Sequence, residues 1–387
     1  MSTSDSYLLV PLLAIGVSLV LTPFADVAGR RWRIIARFGG RRLSQGDARR
    51  VSKLGGLALY GSFTISVLAA QLLPVPRLDP YEVIRLTGLI LGGTVIFAVG
   101  LLDDIFELSP LQQFLGQFAA ASIAIVFQIF IEFVNNPFTG AQTAPWSFLV
   151  TVGISFFWLV GMMNTVNWLD GADGLAAGVA CIAGLILFAN SAFRVNPPQA
   201  SVSLLHLALV GASLGFLIFN FHPARIIMGG GAPFLGFVLG SLSIIGGAKM
   251  ATILLVMGLP LLDSLWQVLS RLRQGKNPFQ GDRGHLHFRL QDMGVSTKVM
   301  VLGYYLFCAV FGGLTLVTTS QVFKFIVMSL MAVIALIGFW FVNRSYSSGA
   351  SSSTDAGDRA AAPGGLSPAA SDETGEPASL SSSVSSE

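Results

Sequence analysis

Residues 83–104 read VIRLTGLILGGTVIFAVGLLDD: after Arg85 come seventeen residues without a charge, closed by two adjacent carboxylates. A membrane-spanning helix needs roughly 20 mostly apolar residues, and this run supplies them. The whole chain follows suit. Of its 387 residues, 53% are hydrophobic and 11% charged, less than half of the ~25% charge usual in soluble domains. Mean hydropathy is +0.71. These figures exclude a disordered chain, a coiled coil and a nucleic-acid-binding module. The two cysteines, Cys181 and Cys308, lie in apolar runs, so neither a disulfide framework nor a cysteine metal site is on offer. The fold class is all-α, a polytopic integral membrane protein.

Applied along the chain, the same criterion gives about eleven transmembrane helices, near 7–25, 54–74, 84–102, 111–130, 147–165, 174–193, 201–219, 232–248, 250–270, 298–318 and 323–342. Lys and Arg accumulate on the cytoplasmic side of membrane proteins. The loop after the first segment carries nine, from Arg30 to Lys53. Placing it inside puts eighteen basic residues on the cytoplasmic face and five outside: Arg77, Arg85, Arg194, Lys249 and Lys324. The N-terminus is then outside and the C-terminus cytoplasmic. Residues 1–343 form the membrane domain. Residues 344–387, rich in Ser, Ala, Gly, Pro and acid, bury too little apolar surface to fold and are expected to be a disordered cytoplasmic tail.

Between residues 84 and 343 there are nine carboxylates, and this topology puts all but Glu132 at the cytoplasmic face: Asp103, Asp104, Glu107, Asp170, Asp173, Asp263, Asp282 and Asp292. Acids at membrane level are costly unless solvated or paired. Eight on one face point to an assembled polar site, against the blander reading that loops are simply where charges reside. The adjacent Asp103-Asp104 repel unless a cation or a proton relieves them, and hard oxygens beside phosphate suit Mg2+. Asn164, Asn167, Asp170 and Asp173 recur every third residue, with Gly171 and Gly174 breaking the helix for close backbone approach. A third cluster, Asp282-Arg283-Gly284-His285-Leu286-His287-Phe288-Arg289, offers several donors to an anionic diphosphate. His206, alone in an apolar helix, reads as a packed residue.

The succession of Leu54-Gly55-Gly56-Leu57-Ala58, Gly100-Leu101-Leu102-Asp103-Asp104, Asn164 through Gly174, and Asp282 through His287 resembles the polyprenyl-phosphate N-acetylhexosamine-1-phosphate transferases, a glycosyltransferase 4-like membrane family. It does so in motif order and over about residues 7–342. Within that family it is more similar to the bacterial undecaprenyl-phosphate N-acetylglucosamine-1-phosphate transferases than to the muramoyl-pentapeptide branch. The resemblance implies transfer of a sugar 1-phosphate from a UDP-N-acetylhexosamine to a polyprenyl phosphate, with Mg2+ (or Mn2+) and release of UMP. The implied place is the cytoplasmic face of the inner, plasma membrane, among membrane lipid and without nucleic acid; a homodimer is compatible with it. Asp103, Asp104, Asp170 and Asp173 match catalytic positions, and Asn167 matches a metal ligand. His285 and His287 match the family's diphosphate-binding motif, and Lys53, Asn164, Arg283 and Arg289 are expected to bind substrate with them.

Two departures stand out. Phe288 replaces a further histidine. Gly230, in Met228-Gly229-Gly230-Gly231-Ala232-Pro233, stands where the family has a metal-binding Asp. Asp263 or a water is then expected to supply the missing oxygen, and Gly230→Asp to restore it; the glycine-rich turn reads equally as a plain turn or a phosphate cradle. A non-catalytic homologue is the alternative that Gly230 raises. A secondary transporter fits less well, since transporters place polar groups near the midplane. The topology has a direct test: single cysteines at Ser44 and Gln274 are expected to label from the cytoplasm alone, and one at Asn136 from outside alone. Labelling of Ser44 from outside overturns the orientation.

Overall fold

The computed structural model describes residues 2–36, 51–136, 138–139, 141–246, 250–275, 284–318 and 320–360, the last sixteen by their backbone. Contacts divide the chain into Met1–Asn343 and Arg344–Glu387. The described residues are helical, with isolated β-bridges and no strand. In chain order the helices are α1 (Thr3–Arg31), α2 (Gly55–Ala70), α3 (Glu82–Phe106), α4 (Pro110–Val126), α5 (Phe148–Leu169), α6 (Leu175–Ala189), α7 (Ala200–Asn220), α8 (Gly231–Ile245), α9 (Met250–Val256), α10 (Gly258–Arg273), α11 (Leu286–Asp292), α12 (Thr297–Leu314) and α13 (Gln321–Ala360); a π-turn, Asn190–Arg194, extends α6. The tail expected at 344–387 lies outside the described residues from 361 onward, and α13 is helical as far as Ala360.

Each expected apolar segment overlaps a helix among the described residues, but the expected count of eleven spans is not confirmed. Among the described residues, seven helices are long and apolar enough to cross a membrane, eight if a bent pair counts as one. α2, α4 and α8 have 16, 17 and 15 residues, short of the ~20 that a full crossing takes. The segment 250–270 is not one straight span. α9 and α10 meet at 78°, where Gly258 and Pro260 open the second helix. Proline is tolerated in a first turn, whose N–H groups have no intrahelical partner.

Burial sorts the helices into layers. In α6 with its π-turn and in α7, 78% of the apolar window is buried, against 28% in α1 and α3 and 22% in α13. The first two are the centre of the bundle; the others turn large apolar side chains outward, such as Leu8, Val20 and Phe24 of α1, as lipid-facing helices do. α3 also gives a length scale. From Glu82 to Asp103 its rise is about 30 Å at 1.5 Å per residue, about the hydrocarbon thickness of a bilayer. At its start, Glu82 accepts from Arg77 and from the Ser201 hydroxyl, and Arg85 pairs with Asp79 at 2.7 Å. At its end stand the paired aspartates.

Without a hydrophobic force between helices in lipid, close packing of small residues holds them together. α1 and α7 meet this way: Gly211 and Gly215 face Ala14 and Ser18, both pairs at i,i+4 spacing. The Ser18 hydroxyl donates to the Ala212 carbonyl at 3.1 Å. A Cβ at Gly211 would overlap the Pro11 carbonyl and lie 2.6 Å from the Ala14 Cβ. Gly211→Leu is therefore expected to lower the thermal midpoint in detergent, costing about 1–3 kcal/mol, the usual range for overpacking. Gly16→Ala, with open space around it, is the control and leaves the midpoint within a degree or two. Equal behaviour of the two variants would show that the α1–α7 contact carries no stability.

Candidate active site

The C-terminal ends of α3 and α5 and the N-terminal ends of α2 and α8 enclose a recess of about 210 Å³, lined among others by Lys53, Asp103, Asp104, Gln113, Gln117, Asn167, Asp170 and Gly230. Five site residues picked from the sequence, Lys53, Asp103, Asp104, Asn167 and Asp170, thus converge from three separate segments, and Gly230 brings in a fourth. The way they are held follows from the chain around them.

Residues 52–56 run beside 226–228. The N–H groups of Gly55 and Gly56 donate to the carbonyls of Ile227 and Met228 at 3.1 and 2.9 Å, and the Ile227 N–H donates back to Ser52 at 3.0 Å. This pairing brings Lys53 to the recess and lays the glycine-rich turn against α3. Gly229 has φ +58, a backbone that glycine adopts without cost, and a side chain there would meet the Asp104 carboxylate. Gly230 has an ordinary φ of −62, but a Cβ on it would overlap the backbone of Gly100, and one on Gly100 would overlap Gly230. Two backbones touch here, so neither position takes a side chain.

The same contact orients Asp104. Its Oδ2 accepts the Gly230 N–H at 2.7 Å, and Lys53 Nζ stands 3.9 Å from Oδ1. Asp103 belongs to the α3–α4 corner: Oδ1 accepts from the Leu108 N–H and from Gln113 Nε2, both at 2.9 Å. Ser109 and Gln112 form a capping box that starts α4. On α5, Asn167 lines the recess and Asp170 closes the helix as its C-cap. Asn164, expected to bind substrate, is instead set behind the wall: its Nδ2 donates to Gln117 Oε1 at 2.7 Å. Asp173 turns away to the 221–224 loop, its Oδ2 accepting the Ala224 N–H and facing His222 Nδ1, each at 3.1 Å.

The histidine cluster lies against the other side of the 168–173 turn. His285 caps α11, and its ring centroid is 5.5 Å from that of Trp168. His287 packs on Gly171 so closely that a Cβ there would overlap its Nε2. Phe288, in place of the further histidine, is 1% exposed, with its ring 4.2 Å from that of His287; it fills volume. Neither histidine lines the recess itself. Arg283 lies outside the described residues. Arg289 donates to Asn343 at 2.6 Å on an exposed face.

Two expectations about Gly230 are corrected. Asp263 does not substitute for a carboxylate there: its oxygens take His285 Nδ1 and the Leu286 N–H, each at 3.0 Å. Nor does the Gly230 N–H cradle a phosphate, because it is given to Asp104. Sequence reading missed Gln113, Gln117 and His222. The glutamines at i,i+4 in the apolar α4 were a usable signal, since buried amides need partners; His222 gave none. His206 is buried and 3.4 Å from the Ser191 hydroxyl, a packed residue as expected.

Whether the recess suits a divalent cation turns on its donors. Asp103, Asp104, Asn167 and Asp170 bring hard oxygens of the type Mg2+ takes. Among the described residues no three His, Cys, Asp or Glu side chains form a metal group, and oxygens of Asp103 and Asp104 already accept protein hydrogens. The set fits a cation held by one or two carboxylates and completed by substrate oxygens, not a closed protein cage.

Residues 86–247 match glycosyl transferase family 4. The chain is 30% identical to a protein of Bacillus subtilis strain 168 named probable undecaprenyl-phosphate N-acetylglucosaminyl 1-phosphate transferase, over 83% of this chain and 86% of that one. It is 30% identical to a decaprenyl-phosphate N-acetylglucosaminephosphotransferase of Mycolicibacterium smegmatis, over 74% and 76%. A phospho-N-acetylmuramoyl-pentapeptide-transferase of Staphylococcus aureus strain JH9 is also 30% identical, over 72% and 89%.

The backbone contact at Gly230 sets a test. Gly230→Asp and Gly230→Ala are both expected to push α8 from α3, lowering the thermal midpoint, and neither gains metal affinity over the parent. A gain in Mg2+ affinity for the Asp variant alone would show that the contact yields and that the position is open to a carboxylate. Sequence order, recess and relatives agree, and the chain belongs to glycosyl transferase family 4.

Proposed function

We propose that this enzyme transfers N-acetylglucosamine 1-phosphate from its UDP derivative to a polyprenyl phosphate at the cytoplasmic face of the plasma membrane, releasing UMP and starting a cell-envelope polysaccharide. The observation that carries this reading is the convergence of Lys53, Asp103, Asp104, Asn167 and Asp170 on one recess at helix ends. Similarity to two N-acetylglucosamine phosphotransferases over most of their length supports the sugar assignment. A recess at the ends of apolar helices supports a site where a lipid phosphate and a water-soluble nucleotide can meet, and the basic-residue asymmetry supports the cytoplasmic side.

The chemistry is a phosphoryl transfer. An oxygen of the lipid phosphate attacks the phosphorus bonded to the sugar, the bond to the bridging oxygen breaks, and UMP leaves with that oxygen. Such reactions are catalysed by positioning and charge neutralisation more than by covalent help. At 210 Å³ the recess is below the ~300 Å³ at which pockets enclose whole ligands. It takes the reacting phosphates, while the uridine, the sugar and the prenyl chain lie outside it.

Asp104, aimed by Gly230 and Lys53, is the carboxylate for the lipid phosphate. Asp103 holds the α3–α4 corner beside it. Family members depend in general on a divalent metal; Asn167 and Asp170, with one of the paired aspartates, would hold Mg2+ or Mn2+, which would supply charge neutralisation at the phosphates. His285, with His287 behind it and Arg283 nearby in sequence, serves the donor diphosphate. Arg289, tied to Asn343, serves at the rim. Asp173 keeps the turn after α5 in register rather than touching the reacting atoms.

Purified protein incubated with polyprenyl phosphate and a panel of UDP-sugars is expected to release UMP with UDP-N-acetylglucosamine. Asp104→Asn is expected to lower kcat by about 100-fold or more, the scale of removing a group placed at developing charge. Asp103→Asn also lowers it. Undiminished UMP release in both variants would remove the recess from the chemistry, and release with a muramoyl-pentapeptide donor alone would reassign the branch.

A further inference from the structure

Asp263 lies outside the acidic recess, yet it is a buried carboxylate, 6% exposed, on a helix of unusual polarity. α10 turns Leu265, Leu269 and Leu272 outward and buries Asp263, Gln267 and Arg271, spaced i, i+4 and i+8. This is an amphipathic helix with its apolar face out, as membrane surroundings favour. Its inner stripe grips three consecutive residues of the histidine loop. Gln267 Nε2 donates to the Gly284 carbonyl, Asp263 Oδ2 takes His285 Nδ1 at 3.0 Å, and Asp263 Oδ1 takes the Leu286 N–H at 3.0 Å. A buried carboxylate is expensive unless such partners satisfy it.

We propose that Asp263 is a positioning residue for donor binding, acting through His285. An ionised carboxylate only accepts hydrogen bonds, so the geometry puts the His285 proton on Nδ1 and leaves Nε2 as the nitrogen for a ligand. The second oxygen fixes the backbone that carries the ring, and Trp168 flanks the ring at 5.5 Å. Side chain and main chain are thereby locked together. An imidazole held in one tautomer and one rotamer meets an anionic diphosphate without first being ordered, the benefit that a second layer of hydrogen bonding gives to metal-binding histidines. The proposal rests on the reading that His285 serves the donor diphosphate. The competing role is a plain helix cap, in which Asp263 matters only to the Leu286 N–H.

Asp263→Asn separates the two, because Asn keeps an oxygen for Leu286 but loses the anionic acceptor for His285. With UMP release as the assay, Asp263→Asn is expected to raise KM for the UDP-sugar about 10-fold or more, the scale for losing such a supporting hydrogen bond. KM for polyprenyl phosphate stays unchanged. In a His285→Ala background the same substitution is expected to change nothing further, since residues acting through one another are non-additive. KM is independent of the fraction of protein folded, so a poorer yield cannot imitate this result. An unchanged donor KM, an equal rise in both KM values, or an additive double variant overturns the proposal.

A second readout does not depend on turnover. The full chain has four histidines, and 15N-histidine NMR in detergent, assigned with His285→Ala, is expected to show His285 protonated on Nδ1, with that signature lost in Asp263→Asn. An Nε2–H tautomer in the parent protein overturns the positioning role. If the parent releases no UMP from any UDP-sugar while the Nδ1–H signature is present, the functional reading fails and the Asp263–His285 geometry stands.

Discussion

Gly100 and Gly230 meet backbone to backbone, and the Gly230 N–H reaches Asp104 at 2.7 Å. The position of α8 against α3 depends on that contact, and so does the aim of the carboxylate at the centre of the recess. It also explains why the 52–56 strip runs along 226–228: the glycine turn must be held from behind if its front is to lie on α3. A helix N-terminus carries a partial positive charge. Asp104 therefore has its charge partly balanced by α8 and by Lys53 before any ligand arrives. A single Cβ at either glycine would separate the helices and turn the carboxylate.

The sequence made much of this legible because membrane proteins advertise their helices. Every apolar run became a helix, since backbone groups in lipid must be satisfied within the segment. Asp103, Asp104, Asn167, Asp170 and Lys53 were legible too, because polar groups at the ends of apolar runs stand out against a chain that is 11% charged. Span length was less so. In the run at 54–74 the helix stops at Ala70 and the chain turns, α8 spans only Gly231–Ile245, and the break between α9 and α10 needed Gly258 and Pro260 to be weighed above hydropathy.

What stayed hidden was set by contacts between residues far apart in the chain. Gly230 and Asp104 are 126 positions apart. Nothing local to Met228-Gly229-Gly230 says that the glycine is there for a neighbouring backbone rather than in place of a lost ligand. Asp263 looked like a spare oxygen near a metal because its partners, His285 and Leu286, come 22 and 23 residues later. Asn164 and Asp173 kept the spacing of site residues, but each had a nearer partner, Gln117 and the 222–224 loop. Regular spacing identified the turn correctly without saying which of its members face the recess.

These arrangements bear on how an acidic recess accepts phosphates. Asp103, Asp104 and Asp170 sit together with one lysine among the lining residues, and further anions are repelled unless positive charge accompanies them. A carboxylate at 230 would have added to that acidity. Here the same point in space is a backbone contact whose N–H donates to Asp104. The recess is thus one anion poorer than the family pattern and carries one internal donor more. With Asp104 serving the lipid phosphate as proposed, less external charge is needed to bring that phosphate in, while the rigidity that a fixed carboxylate would lend to a cation would come from the phosphates themselves. On the reading proposed above, donor binding is ordered from outside the recess, where α10 holds His285.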